Sequence, residues 1–279
     1  MSSPQSSASS KKTANFSFIA LDGRVSVVTG ASRGIGAATS LELAKAGSAI
    51  ALLDVDEKLA AETARSVTEQ TGVVTRAYAL NVTDRPGIAR VVAKVAEDFG
   101  AIDHLINNAG IQFISPIESF PDEKWDLVRG IDLDGVFNMT KAIWPHLKAR
   151  GRGRIVNLAS VQGIVASEYK PAYVASKHGV IGLTQATALE GASMGTTANA
   201  VCPGAVLTDL VKGQAADLAR SYGGITEEEA LKRAFLAKMP TQRFIMPDEI
   251  AQLITYLCTD AAKSITGAAI AIDGGWTAH

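Results

Sequence analysis

Tyr173 and Lys177 stand four residues apart in Tyr173-Val-Ala-Ser-Lys177, a spacing that sets a phenol and an ammonium on one face of a helix. A free phenol, with a pKa of about 10, is a poor base at neutral pH. A neighbouring ammonium favours the phenolate and brings it into range for moving the proton of an alcohol. Ser160, thirteen residues before the tyrosine, ends a strand-like run, where its hydroxyl can donate to a substrate oxygen. Alone, a tyrosine and a lysine at this spacing are ordinary surface residues; the rest of the chain decides what they mean.

A second group lies near the start of the chain. The segment Thr29-Gly30-Ala31-Ser32-Arg33-Gly34-Ile35-Gly36 follows an apolar run and opens a helical pattern. Glycines in such a turn let backbone N–H groups approach a pyrophosphate, and the helix N-terminus adds a favourable dipole. Asp54 closes the next apolar run, where a carboxylate can accept hydrogen bonds from ribose hydroxyls and repel a 2′-phosphate. That points to NAD rather than NADP. Arg33 argues mildly the other way, because a guanidinium in the turn can meet a phosphate.

From Arg24 onward, short runs rich in Val, Ile and Ala alternate with longer amphipathic stretches, the pattern of repeated βαβ units. Strands are expected at Val25–Thr29, Ala49–Leu53, Val73–Ala79, His104–Ile106, Arg154–Leu158, Thr197–Val201 and Ala268–Ala271. Helices are expected near Gly34–Ala46, Glu57–Thr71, Arg85–Phe99, Glu123–Ala149, Tyr173–Met194 and Asp248–Thr259. The result is an α/β chain with a doubly wound parallel sheet of about seven strands and helices on both faces. Between Pro203 and Pro247 the rhythm breaks, with helical patterns around Asp209–Arg220 and Thr226–Lys238. Long excursions at the carboxyl edge of such a sheet are typically lids.

The bulk properties narrow the function. At 279 residues, 47% hydrophobic and 20% charged, the chain reads as one large globular domain. A formal net charge of -1 gives no electrostatic reason for a nucleic-acid or membrane partner, and no apolar run approaches a membrane span. Cys202 and Cys258 lie far apart without metal-type spacing, which suits a reduced, cytoplasmic protein. His104, His146, His178 and His279 show no ligand spacing, so no catalytic metal is expected. The Ser-rich first twenty residues read as a disordered extension.

Taken together, Thr29–Gly36, Asn107-Asn108-Ala109-Gly110, Ser160, Tyr173 with Lys177, and Pro203-Gly204 resemble the short-chain dehydrogenase/reductase family over nearly all of Leu21 to His279. The resemblance implies a single-domain Rossmann fold over 21–279, a helical substrate lid at about 205–245, and homotetramers formed through the long helices. It also implies that Asn81 and Val82 flank the adenine, Asn107 to Gly110 line the cofactor, Lys177 holds the nicotinamide ribose, and Val206 and Thr208 contact the carboxamide. Within the family, Asn107–Gln112, Glu123–Asp126, Lys170–Val180, Thr197–Gly204 and Asp273–Ala278 look like the D-3-hydroxybutyrate dehydrogenases. In that group a short 3-hydroxy acid is held by its carboxylate. The matching positions are Gln112, Lys170 and Gln214, with Trp276 shaping the pocket.

Three positions depart from that pattern. Asp132 stands where the family has an asparagine that organises water near the lysine; a buried charge there would raise the lysine pKa and weaken its hold on Tyr173. Gln162 replaces a histidine two residues after the serine, and Ala205 replaces a tryptophan after Pro-Gly. The last two changes leave room for another substrate, such as a sugar, a polyol or a 3-oxoacyl thioester. A non-catalytic NAD-binding scaffold disabled through Asp132 is the remaining alternative.

Overall fold

The computed structural model describes residues 20–278. The extension expected over 1–20 therefore lies outside the described residues apart from Ala20, as does His279.

The apolar runs form seven strands: β1 (Val25–Thr29), β2 (Ala49–Asp54), β3 (Thr75–Ala79), β4 (His104–Asn107), β5 (Arg154–Leu158), β6 (Thr197–Pro203) and β7 (Ala269–Ile272). Every residue of β1, β4, β5 and β6 is buried, which is why these strands read as continuous apolar stretches rather than alternating ones. All strand pairs are parallel, in the order β3-β2-β1-β4-β5-β6-β7. The order reverses direction between β1 and β4, so the loops after these two strands part and leave a crevice at the carboxyl edge.

Helices α1 (Gly34–Lys45), α2 (Glu57–Thr71), α3 (Arg85–Phe99), α4 (Asp122–Arg129), α5 (Gly135–Arg150) and α6 (Pro171–Gly191) connect the strands. On one face α1 packs against α10 (Pro247–Cys258), over a core that includes Leu43, Ile50, Ile106, Val201 and Ile254. On the other face Leu53, Ile88, Leu105, Met139 and Ile143 form a second core, and Val180 joins Ala200 and Cys202 in a third beneath α6.

The single helix expected over Glu123–Ala149 is interrupted. Between α4 and α5 the chain makes a π-turn at Gly130–Asp134, where one extra residue widens the coil and reorients its side chains. The excursion after β6 is also more broken than its pattern suggested, forming α7 (Asp209–Lys212), α8 (Ala215–Ser221) and α9 (Glu227–Phe235). Helix α9 opens on a capping box, in which Thr226 Oγ1 accepts from the Glu229 amide at 3.2 Å and Glu229 Oε2 accepts from the Thr226 amide at 3.1 Å.

Candidate active site

The crevice at the carboxyl edge is a cleft of about 630 Å³ lined from both halves of the sheet. Its first wall is the turn after β1. Gly30 holds φ +61°, and a Cβ there would lie 2.8 Å from Ala109 Cα, so only glycine lets the two loops meet. Gly36 sits behind this turn, where a Cβ would come within 2.1 Å of Gly30 O. It fixes the approach of α1 to the strand rather than lining the cleft. Asn108 ties the loops together by donating from Nδ2 to Thr29 O at 2.9 Å and to Gly30 O at 2.8 Å.

These residues suit a dinucleotide. The residue before α1, Arg33, provides no side-chain cap, which leaves first-turn amides for an anion. The buried Ser32 Oγ has no hydrogen-bond partner, so it too can donate to a ligand. Asp54 closes β2 beside them. Its Oδ2 accepts from the Ser32 amide at 2.9 Å and its Oδ1 from the Asp56 amide at 3.1 Å. Each oxygen keeps a lone pair for a ribose hydroxyl. Arg33 is exposed and also lines the cleft, with its guanidinium 3.9 Å from Asp56 just beyond Asp54.

The opposite wall carries Tyr173, Lys177 and Ser160. Helix α6 presents Tyr173 to the cleft and buries Lys177 one turn later, with the ammonium 5.3 Å from the centre of the Tyr173 ring. Lys177 Nζ donates to Leu158 O at 2.9 Å and lies 3.2 Å from Asp132 Oδ2. Asp132 comes from the π-turn, is fully buried, and accepts from the Ile111 amide at 2.8 Å. Ser160 follows β5, where its Oγ accepts from the Gln162 amide at 3.1 Å.

Burial governs the charges here. It pushes the Tyr173 phenol above its ordinary range, with Lys177 pulling it down, Asp132 pushing it further up and Ser160 pulling it down. Burial pulls Lys177 down, but the charges of Asp132 and Tyr173 more than offset this and hold the ammonium above the usual lysine range. For Asp132 burial raises the carboxyl, opposed by Lys177 and the Ile111 amide. Lys170, which precedes α6, is pushed down to about 8 by burial and then by the charge of Lys238. Its ammonium sits 5.7 Å from the centre of the Phe235 ring, at the end of α9.

The structure brings most of the expected residues together around this cleft: Gly30, Ser32 to Ile35, Asp54, Asn81, Val82, Asn108 to Gly110, Pro203, Gly204, Val206 and Thr208 on the dinucleotide side, and Gln112, Gln162, Lys170, Gln214 and Trp276 around Tyr173. Two expectations fail. Asn107 does not line the cleft; it is buried on β4 and donates to Asn157 Oδ1 at 2.8 Å across the sheet. Gly36 is structural, as described. Phe235, Ile111 and Val55 also line the cleft, although no motif in the sequence marks them. The capping box before α9 was a legible signal that this helix is well formed, but not that its last residue folds back over Lys170.

Among the described residues no helix is long and apolar enough to cross a membrane, and no cluster of His, Cys, Asp or Glu is arranged to hold a metal.

Residues 30–277 match the family model described as enoyl-(acyl carrier protein) reductase. The chain is similar to the D-beta-hydroxybutyrate dehydrogenase of Rhizobium meliloti, at 43% identity over 260 residues that cover 92% of this chain and 99% of that one. It is also similar to the D-beta-hydroxybutyrate dehydrogenase of Cupriavidus necator, at 40% identity, with 93% and 100% of the two chains covered. Among solved structures, levodione reductase superposes with a TM-score of 0.88 at 32% identity, over 92% of this chain and 99% of the other.

Proposed function

Because this chain belongs to the short-chain dehydrogenase/reductase family, we propose that it interconverts D-3-hydroxybutyrate, or a closely related short 3-hydroxy acid, and the corresponding 3-oxo acid with NAD. The observation that carries this reading is the convergence of Tyr173 and the Lys170 ammonium on the same cleft as the glycine turn. One group moves a proton, and the other meets a carboxylate.

In the oxidative direction, the substrate hydroxyl rests between Tyr173 Oη and Ser160 Oγ. Tyr173 as phenolate takes the hydroxyl proton, and Ser160 steadies the oxygen as the carbonyl forms. Lys177, fixed by Leu158 O and Asp132, keeps a positive charge beside the phenolate. A nicotinamide dinucleotide, when bound, supplies the hydride acceptor for the carbinol carbon. Asp54 at the ribose end supports NAD over its 2′-phosphorylated form. Alignment of the reacting atoms by the cleft walls provides much of the rate. The segment over 205–245 serves as the lid, with Phe235 closing on Lys170.

A homotetramer fits the same reading: Phe137 on α5 and Leu189 on α6 stay 45% and 81% exposed, large apolar surfaces that a second copy would cover. The two buried free thiols fit a reducing, cytoplasmic setting.

Lys170→Ala tests the substrate. A charge-assisted hydrogen bond is worth about 1.5–3 kcal/mol, so KM for 3-hydroxybutyrate should rise roughly tenfold to a hundredfold with kcat little changed, while a neutral secondary alcohol should be unaffected. An unchanged KM for the acid would remove the carboxylate assignment. A panel of sugars, polyols and 3-oxoacyl thioesters then decides the substrate, since Ala205 leaves that part of the wall small.

A further inference from the structure

The Asp132 carboxylate has no solvent exposure and lies against the proton-handling pair, 3.2 Å from Lys177 Nζ. The backbone has gone out of its way to put it there: the π-turn interrupts an otherwise regular helix at this residue, and the Ile111 amide clamps the other oxygen at 2.8 Å. Gly110 completes the enclosure, because a Cβ there would stand 3.1 Å from Asp132 Oδ2 and 3.5 Å from Lys177 Nζ. A carboxylate in this position is costly unless it is paired.

We propose that Asp132 is a positioning residue, a fixed counter-charge that offsets the Lys177 ammonium and thereby sets the pH at which Tyr173 gives up its proton. The proposal rests on the alcohol–ketone reading and deepens it.

Lys177 stabilises a phenolate at Tyr173, and an anion tied to Lys177 cancels part of that stabilisation, since the Lys177 charge pulls the phenol down while the smaller effect of Asp132 pushes it up. Removing the anion leaves the cation unopposed. The other groups around the pair do not substitute for Asp132. Cys202 on β6 is pushed up to about 11 by burial and stays a neutral thiol. Ser160 is uncharged. Asp273, at the end of β7, spends its carboxylate on the Gly275 and Thr277 amides and the Thr277 hydroxyl. Lys170 is a cation, and His178 is exposed on the same helix, bound to Val174 O. Asp132 thus acts with the sign opposite to Lys177: it keeps the phenol protonated to higher pH, which favours proton donation to a ketone and delays proton removal from an alcohol.

The test compares the protein with Asp132→Asn, in which the side chain keeps its shape and loses its charge, and with Asp132→Glu, which keeps the charge. The acid limb of the kcat profile for alcohol oxidation should move about one unit lower in Asp132→Asn, making it roughly tenfold faster well below the original limb with a similar plateau. Asp132→Glu should keep the original limb. The second readout needs no substrate: the ultraviolet tyrosinate titration of each protein, taken as the difference from its Tyr173→Phe counterpart, should show the same downward shift. If Asp132→Asn does not accumulate as folded protein, Asp132→Ser serves as the neutral variant. A titration and limb that stay put or move upward overturn the proposal, as does loss of activity at every pH. Should no alcohol or ketone be turned over by any form, the enzyme reading fails, and the tyrosinate difference still decides the role of Asp132.

Discussion

Lys170 links the chemistry of one side chain to a measurable dependence on pH. Burial and the nearby Lys238 charge hold its pKa down to about 8, so the ammonium is present below that value and lost above it. Carboxylate binding in turn favours the charged form. KM for 3-hydroxybutyrate is therefore expected to climb as pH rises past 8, approaching tenfold per unit, while KM for a neutral alcohol stays flat. A flat profile for the acid in steady-state assays from pH 7 to 10 would detach Lys170 from substrate binding. Tyr173 responds in the other sense. Its phenol is raised by burial, so at neutral pH it carries the proton that ketone reduction requires.

At the scale of elements, α9 holds Phe235 over Lys170, and its start depends on the Thr226 cap. Thr226→Ala removes the side-chain acceptor for the Glu229 amide, and N-cap loss frays a first turn. The expected result is faster amide exchange confined to 226–238 and a several-fold rise in KM, with the melting temperature close to unchanged. A large global loss of stability would mean the segment is part of the core rather than a cover. The same elements show what sequence can reveal. Strands β1, β4, β5 and β6 were legible because burial on both faces demands unbroken apolar runs. β3 was read two residues too early because Val73 and Val74 continue that pattern, although Val74 is mostly exposed and the ladder with β2 starts at Thr75. The π-turn was not legible, since one inserted residue barely disturbs a 3.6-residue period over a long helix. Asn107 was misplaced because a motif read as a unit hides which of its residues face the sheet interior. The spacing of Tyr173 and Lys177 sets a shared helix face, but it points to a site only together with the glycine turn and the strand end at Ser160, which the structure brings to the same cleft.

Across the whole molecule, ionisable groups gather at both ends of the sheet. At the amino ends, Asp103 is buried among Arg150 at 2.8 Å, Arg152 at 3.2 Å and Arg24 at 4.0 Å. Beside it His104 is fully buried and bonded to Ser26 Oγ at 2.8 Å. Burial, with the surrounding arginines, holds His104 down to about 3, against 6.5 for the free side chain. The unfolded chain therefore binds a proton here that the native state refuses, and stability is complete above 6.5 and drains away as pH falls towards 3. The slope from this one residue reaches about 1.4 kcal/mol per pH unit. His104→Asn should flatten the stability curve between pH 4.5 and 6.5, measured by urea unfolding and judged on slope rather than intercept. An unchanged slope would place the acid sensitivity elsewhere. The length of β4 separates His104 from the nearest cleft residue, Asn108, by roughly 13 Å, beyond the range at which substitutions usually interact. Acid tolerance and catalytic pH range are therefore set by opposite rims of the same sheet, and a protein engineer could retune either without disturbing the other.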